Sequence, residues 1–160
     1  MKIRVGFGFD VHRQAEGREL WIGGVKLPHT KGLLGHSDAD VLLHAICDAL
    51  LGAANLRDIG FHFPDTASEY KDVDSKLLLK KTLEVITQKG YRVGNIDATV
   101  VAERPKINPH VPEMQKVIAE ILEIDVDDIS IKASTSEKIG YVGREEGMTA
   151  YAVALIEKIG

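Results

Sequence analysis

The chain has 160 residues, 44% of them hydrophobic and 28% charged, with a formal net charge of −4. That length suits a single domain, residues 1–160, with one core, and no concentrated Lys/Arg face marks a nucleic-acid surface. No run of about 18 apolar residues is present to span a membrane, and the single cysteine, Cys47, excludes an internal disulfide; a reducing, cytoplasmic setting is expected.

The N-terminal stretch MKIRVGFGFD reads directly as a strand rather than as the apolar core of a secretion signal. Over residues 2–12, Ile3, Val5, Phe7 and Phe9 alternate with Gly6, Gly8, Asp10 and His12, the period of a strand with a polar end. Gly23-Gly24 between short apolar runs predicts a hairpin over residues 19–27. Residues 38–54 predict a helix, capped by Ser37 or Asp38, with Val41, Leu42, Ala45, Ile46, Ala49, Leu50 and Ala53 as its apolar stripe. Asp40, His44 and Asp48 fall one turn apart on another face. Cys47 lies within this apolar run, where a buried thiol is expected.

Residues 55–72 read as a long loop, of a length that in compact domains is usually functional or disordered. A second helix is predicted over 74–89, ending before Gly90. A strand over 91–103, a helix over about 109–123 and strands over 129–135 and 147–157 complete the chain. The last strand is apolar on both faces and needs cover on both. Helices can supply one side; another subunit is the expected cover for the other. The predicted fold is therefore α+β, a sheet with helices packed on one face and the other face turned toward partner subunits.

Asp10 and His12 project together from one strand face, and a carboxylate with imidazoles suits zinc or a similar ion. His44 or Asp40 supplies a third ligand, and spacing leaves the choice open. The two histidines His36 and His44 flank the start of a helix, a natural anion site. Ser134, Thr135, Ser136 and Glu137 end a strand with three hydroxyls and an acid. Hydroxyls and exposed backbone N–H groups there suit phosphate oxygens, and Glu137 suits a hard ion such as Mg2+. Arg144, among Gly140, Gly143 and Gly147, offers a bidentate phosphate contact. No P-loop, GxGxxG fingerprint or Gly-x-Ser-x-Gly elbow is present. The residues alone support a metal-dependent enzyme acting on a phosphorylated substrate, with a phosphohydrolase or a metal- or nucleotide-binding module as alternatives.

Taken in order, Gly-Phe-Asp-Val-His (8–12), His-Ser-Asp-Ala-Asp-Val-Leu-Leu-His-Ala (36–45), Asp-Ala-Leu-Leu-Gly-Ala-Ala (48–54), Asp-Ile-Gly with Phe-Pro-Asp-Thr (58–66), Pro-Lys (105–106) and Lys-Ala-Ser-Thr-Ser-Glu-Lys-Ile-Gly (132–140) resemble the 2-C-methyl-D-erythritol 2,4-cyclodiphosphate synthases of the non-mevalonate isoprenoid pathway. The resemblance covers essentially the whole chain. It implies a homotrimer with active sites between subunits, and a lyase that cyclises 4-diphosphocytidyl-2-C-methyl-D-erythritol 2-phosphate with release of CMP. It implies Zn2+ or a similar ion on Asp10, His12 and His44, and Mg2+ or Mn2+ on the substrate diphosphate with Glu137. His36 and Thr135 take the catalytic roles, as transition-state stabilisers. Substrate contacts are implied at Asp10, Val11, His12, His36 and Ser37. They continue at Asp58, Ile59, Gly60, Phe63, Pro64, Asp65, Thr66 and Ala67 for the erythritol end. The cytidine end falls to Ala102, Glu103, Arg104, Pro105, Lys106, Ile107, Asn108, Ser134, Thr135, Ser136 and Glu137, with Tyr141 and Arg144 as further contacts.

Overall fold

The alternation at the N-terminus folds as a long strand, β1 (Ile3–Glu16). A computed structural model describes all residues, 1–160. The hairpin predicted around Gly23-Gly24 forms as β2 (Leu20–Ile22) and β3 (Val25–Leu27), a separate two-stranded sheet. A short strand with no signal in the periodicity, β4 (Lys31–Leu34), pairs with the end of β1. The helices α1 (Val41–Ala53) and α3 (Ser75–Gln88) flank a single turn, α2 (Ile59–His62), inside the stretch read as loop. Next come β5 (Tyr91–Val101), α4 (Val111–Leu122), β6 (Ile129–Ser134), a second single turn α5 (Gly140–Gly143) and β7 (Gly147–Lys158).

The main sheet has the order β4-β1-β7-β5-β6, with β5 and β6 parallel and the other pairs antiparallel. The helices lie on one face, as the α+β reading expects. That face of the sheet is built from small residues. Gly6 and Gly8 of β1 stand opposite Ala154 and Ala152 of β7. A Cβ on Gly6 would lie 1.9 Å from the Ala49 carbonyl oxygen, and one on Gly8 1.9 Å from that of Ala45. Helix α1 therefore rests directly on the strand backbone, and only glycine permits that approach. Surrounded in this way, α1 buries residues on nearly every side, Leu43, Cys47 and Leu51 as well as its predicted stripe. Burial pushes the Cys47 thiol up to about 12, so it serves as a small apolar side chain.

The large apolar residues of β1 point the other way. Val5 and Phe7 are 64% and 62% exposed, and Ile3, Phe9, Val11, Tyr151 and Val153 share their open face. Phe7 and Phe9 lean on Tyr151, with ring centroids 6.2 and 5.3 Å apart. They form a continuous exposed apolar surface on this face.

The start of α1 differs from the expectation. Asp40, not Ser37 or Asp38, is its N-cap, with Oδ1 accepting from the Leu43 N–H at 3.0 Å. The same carboxylate accepts from the N–H groups of Gly23 (2.9 Å) and Gly24 (2.7 Å), both at positive φ in the β2–β3 turn. Asp38 instead holds the start of α3: it accepts from the backbone N–H of Ser75 at 3.0 Å and from its hydroxyl. Burial pushes the Asp40 carboxyl up to about 6; the Asp38 charge adds to this and the three N–H groups oppose it. The folded carboxyl thus holds its proton more tightly than the unfolded one. Stability attached to Asp40 falls as pH rises from about 4 to about 6. Asp40→Ala removes the cap and leaves two buried N–H donors unpaired, an expected loss of about 3 kcal/mol or more in chemical denaturation, with that pH dependence gone.

Candidate metal centre and nucleotide pocket

Asp10 and His12 share the face of β1 that carries Gly6 and Gly8, so they point toward α1. His44, one turn into α1, meets them. The His12 Nε2 lies 2.9 Å from Asp10 Oδ2, the His44 Nδ1 lies 3.2 Å from the same oxygen, and the two ring nitrogens are 3.3 Å apart. A tetrahedral zinc with bonds of about 2.0–2.1 Å sets its donor atoms about 3.3–3.4 Å apart. The three atoms already form such a triangular face. Asp40 is turned away into the β2–β3 turn, so the choice of third ligand falls to His44.

The unused ring nitrogens are committed. His12 Nδ1 donates to the Leu34 carbonyl at 3.0 Å, and His44 Nε2 donates to Ser75 Oγ at 2.8 Å with Ser37 Oγ at 3.2 Å. Ser75 donates in turn to Asp38. Both rings thus present a lone pair to the centre, the outer arrangement that metal-bound histidines require. Burial raises the Asp10 carboxyl, but its hydrogen bonds and charge interactions with His12 and His44 outweigh this and hold it below the ordinary carboxylate range. Burial lowers His12, but the Asp10 hydrogen bond and charge outweigh this and raise it. The cluster attracts positive charge. Ser75 was not recognised in the sequence: its partners lie 31 and 37 positions away, and no local pattern marks it. Ser75→Ala is expected to weaken divalent metal binding about 10- to 100-fold, measured by competition with a chelator.

The triad opens into a cavity of about 290 Å3 lined also by His36, Ser37, Ile59, Gly60, Phe63 and Asp65, all predicted, and by Tyr70, Val73 and Leu78, which were not. Asp48 accepts from the Ile59 N–H at 2.9 Å and fixes α2 at the cavity edge. Asp58 caps α2 through the Phe61 N–H at 2.9 Å. Pro64, Thr66 and Ala67 continue the same loop without lining the cavity. Val11 faces the opposite side of the sheet, beside Tyr141.

A second cavity, about 260 Å3, lies where the parallel strands β5 and β6 end. Ala102, Glu103, Pro105, Lys106, Ile107 and Asn108 line it with Ala133, Ser134 and Thr135. Two cations expected at substrate are engaged within the chain: Arg104 makes a bidentate pair with Glu145 (2.9 and 3.1 Å) and Arg144 pairs with Glu146 at 3.0 Å. The N–H groups of Ser136, Glu137 and Lys138 also have internal acceptors, on Glu103 and Thr135. The two cavities share no lining residue. Their strands β1 and β6 are three spacings apart at the same end of the sheet, about 14 Å.

The YgbB family model matches residues 3–157. The chain belongs to the YgbB family. A YgbB-family relative from Bacteroides thetaiotaomicron, named 2-C-methyl-D-erythritol 2,4-cyclodiphosphate synthase, is 72% identical over 158 residues, 99% of each chain. Among solved structures, the bifunctional IspDF of Campylobacter jejuni superposes with a TM-score of 0.95 at 42% identity, over 99% of this chain and 43% of that one; the YgbB-family chain thus spans less than half of the bifunctional protein. The CDP complex of Plasmodium falciparum IspF superposes with a TM-score of 0.86 at 35% identity, over 99% of this chain and 97% of that one.

Proposed function

We propose that the chain is a 2-C-methyl-D-erythritol 2,4-cyclodiphosphate synthase, a lyase of the non-mevalonate isoprenoid pathway. The observation that carries this is the pairing, in a member of this family, of a preformed Asp-His-His centre with a second polar cavity at the same end of the sheet. The substrate, 4-diphosphocytidyl-2-C-methyl-D-erythritol 2-phosphate, places its erythritol and 2-phosphate in the first cavity, its cytidine in the second and its diphosphate between them. The CDP carried by the Plasmodium falciparum relative supports a cytidine nucleotide here.

The 2-phosphate oxygen attacks the β-phosphorus of the same molecule. A P–O bond forms, the bond from that phosphorus to the bridging oxygen breaks, and CMP departs with the electron pair. The nucleophile is already anionic, so no strong general base is needed. The main barrier is folding a flexible, highly charged substrate into an eight-membered ring, which positioning lowers. Zn2+ on Asp10, His12 and His44, and Mg2+ or Mn2+ beside Glu137, supply phosphate polarisation and charge neutralisation when bound. His36 lines the first cavity and Thr135 the second, where each donates to phosphate oxygens as charge builds on them. Ile59, Gly60, Phe63 and Asp65 wall the erythritol end.

The assembly is a homotrimer with sites between subunits. Support comes from the open apolar face of β1 and β7, and from the separation of the two cavities within one chain, which a neighbour's cavity can shorten. The working setting is the cytoplasm; no helix is long and apolar enough to cross a membrane. Incubation with the cytidyl substrate and Mg2+ tests the reaction. CMP and cyclic diphosphate in equal amounts are expected by phosphorus NMR, and an uncyclised diol product or free inorganic phosphate contradicts it.

A further inference from the structure

Two loops from different strands meet at the second cavity: residues 102–108 after β5, and the stretch at the end of β6 whose Ala133, Ser134 and Thr135 line it and which runs on to Lys138. The second of these carries backbone strain. Glu137 and Lys138 both sit at positive φ, 53° and 60°, two consecutive non-glycine residues in the left-handed region. Such residues are strained and persist only where the surroundings enforce them. The enforcing group is on the other loop. A single carboxylate oxygen, Glu103 Oε1, accepts from the Ser136 N–H at 3.0 Å and from the Lys138 N–H at 3.1 Å. The intervening Glu137 N–H donates to Thr135 Oγ1 at 3.2 Å, and the Ser136 hydroxyl closes the turn onto the Ile139 carbonyl.

We infer that Glu103 is a positioning residue for the nucleotide pocket: its carboxylate stands in as the anion of a backbone nest and fixes the loop that continues from the lining residues Ser134 and Thr135 against the Ala102–Asn108 wall. It acts through the loop, not by contact with the reacting atoms. Charge-assisted bonds from two N–H groups to one carboxylate oxygen are among the stronger hydrogen bonds a loop can form. With them gone, the strained pair relaxes and Thr135 and Glu137 lose their placement. Lining residues on the 102–108 side keep theirs, because the Ala102 N–H still donates to the Ser134 carbonyl at 3.0 Å. Glu103 lies outside the Asp-His-His centre, so metal binding there is independent of it.

Glu103's role rests on the nucleotide reading of the second cavity, and the test separates the two. Zinc-loaded wild type, Glu103→Ala and Glu103→Gln are compared by calorimetric titration with CDP, by steady-state kinetics and by amide hydrogen exchange. Glu103→Ala is expected to bind CDP at least about tenfold more weakly, with KM raised more than kcat falls, zinc content unchanged and faster exchange at Ser136 and Lys138. Glu103→Gln, which keeps a carbonyl oxygen at the same place, is expected to recover most of the affinity. Unchanged exchange in Glu103→Ala overturns the clamp whatever the pocket binds. Faster exchange with wild-type CDP affinity overturns its positioning role. A wild-type chain that binds no CDP overturns the nucleotide reading instead, and with it the role of Glu103 in nucleotide binding.

Discussion

His44→Ala is expected to lose stoichiometric divalent metal and at least about 100-fold in turnover while remaining folded. Zinc sites of about four ligands bind with roughly 10–16 kcal/mol, or about 3–4 kcal/mol for each ligand, on the order of 10²- to 10³-fold in affinity. The side chain is nearly enclosed, 8% exposed, while the other ten buried residues of α1 are apolar and stay in place. Its removal leaves Asp10 and His12 as a bidentate remnant. Metal content by elemental analysis and fold by circular dichroism separate loss of the centre from loss of structure. Because a cation and protons compete for the same donor atoms of Asp10, His12 and His44, affinity in the wild type falls as the pH drops. A fully active His44→Ala enzyme with one metal per chain contradicts the assigned centre.

Gly8→Ala is expected to damage the same centre without touching a ligand. The new Cβ would stand 1.9 Å from the Ala45 carbonyl oxygen and 2.7 Å from the Ala49 N. Both are backbone atoms, so no rotamer change relieves the clash, and α1 must lift from β1. His44 precedes Ala45, while Asp10 and His12 belong to the strand that stays. The donor triangle therefore opens. Overpacking of this kind costs about 1–3 kcal/mol or more, and metal affinity should fall at least tenfold by chelator competition. Gly52→Ala is the control: the nearest atom to its Cβ is the Phe7 carbonyl oxygen at 4.0 Å. On this exposed helical position alanine is expected to leave metal binding unchanged and to stabilise by up to about 1 kcal/mol. Equal metal affinity in Gly8→Ala and wild type sinks the idea that glycine at position 8 sets the centre's geometry.

The strand period was enough to place Asp10 and His12 together, because alternation fixes the side of the sheet from local spacing alone. Helical spacing was not enough to choose between Asp40 and His44. One turn apart, both are reachable, and the answer lies in a contact made 16 and 17 positions away with Gly24 and Gly23. A longer separation, 37 positions, hides Ser75 and Asp38, whose hydrogen bond joins the starts of two helices. The short strand β4 and the single turns α2 and α5 carry too few residues to show a period. Chemistry by residue type was legible in the loops, but its use was not. The resemblance implies ligand contacts at Glu103 and Arg104 and residue type suggests one at Arg144; no local spacing shows the partners they take in the fold, backbone N–H groups for Glu103 and carboxylates for the two arginines.

The central claim is that substrate phosphate, not water, is the nucleophile. Turnover of the cytidyl substrate by the metal-loaded enzyme in oxygen-18-labelled water, with both products weighed by mass spectrometry, tests it most directly. Cyclisation predicts unlabelled CMP and an unlabelled cyclic diphosphate. One labelled oxygen per turnover in either phosphorus product contradicts cyclisation and makes the enzyme a phosphohydrolase.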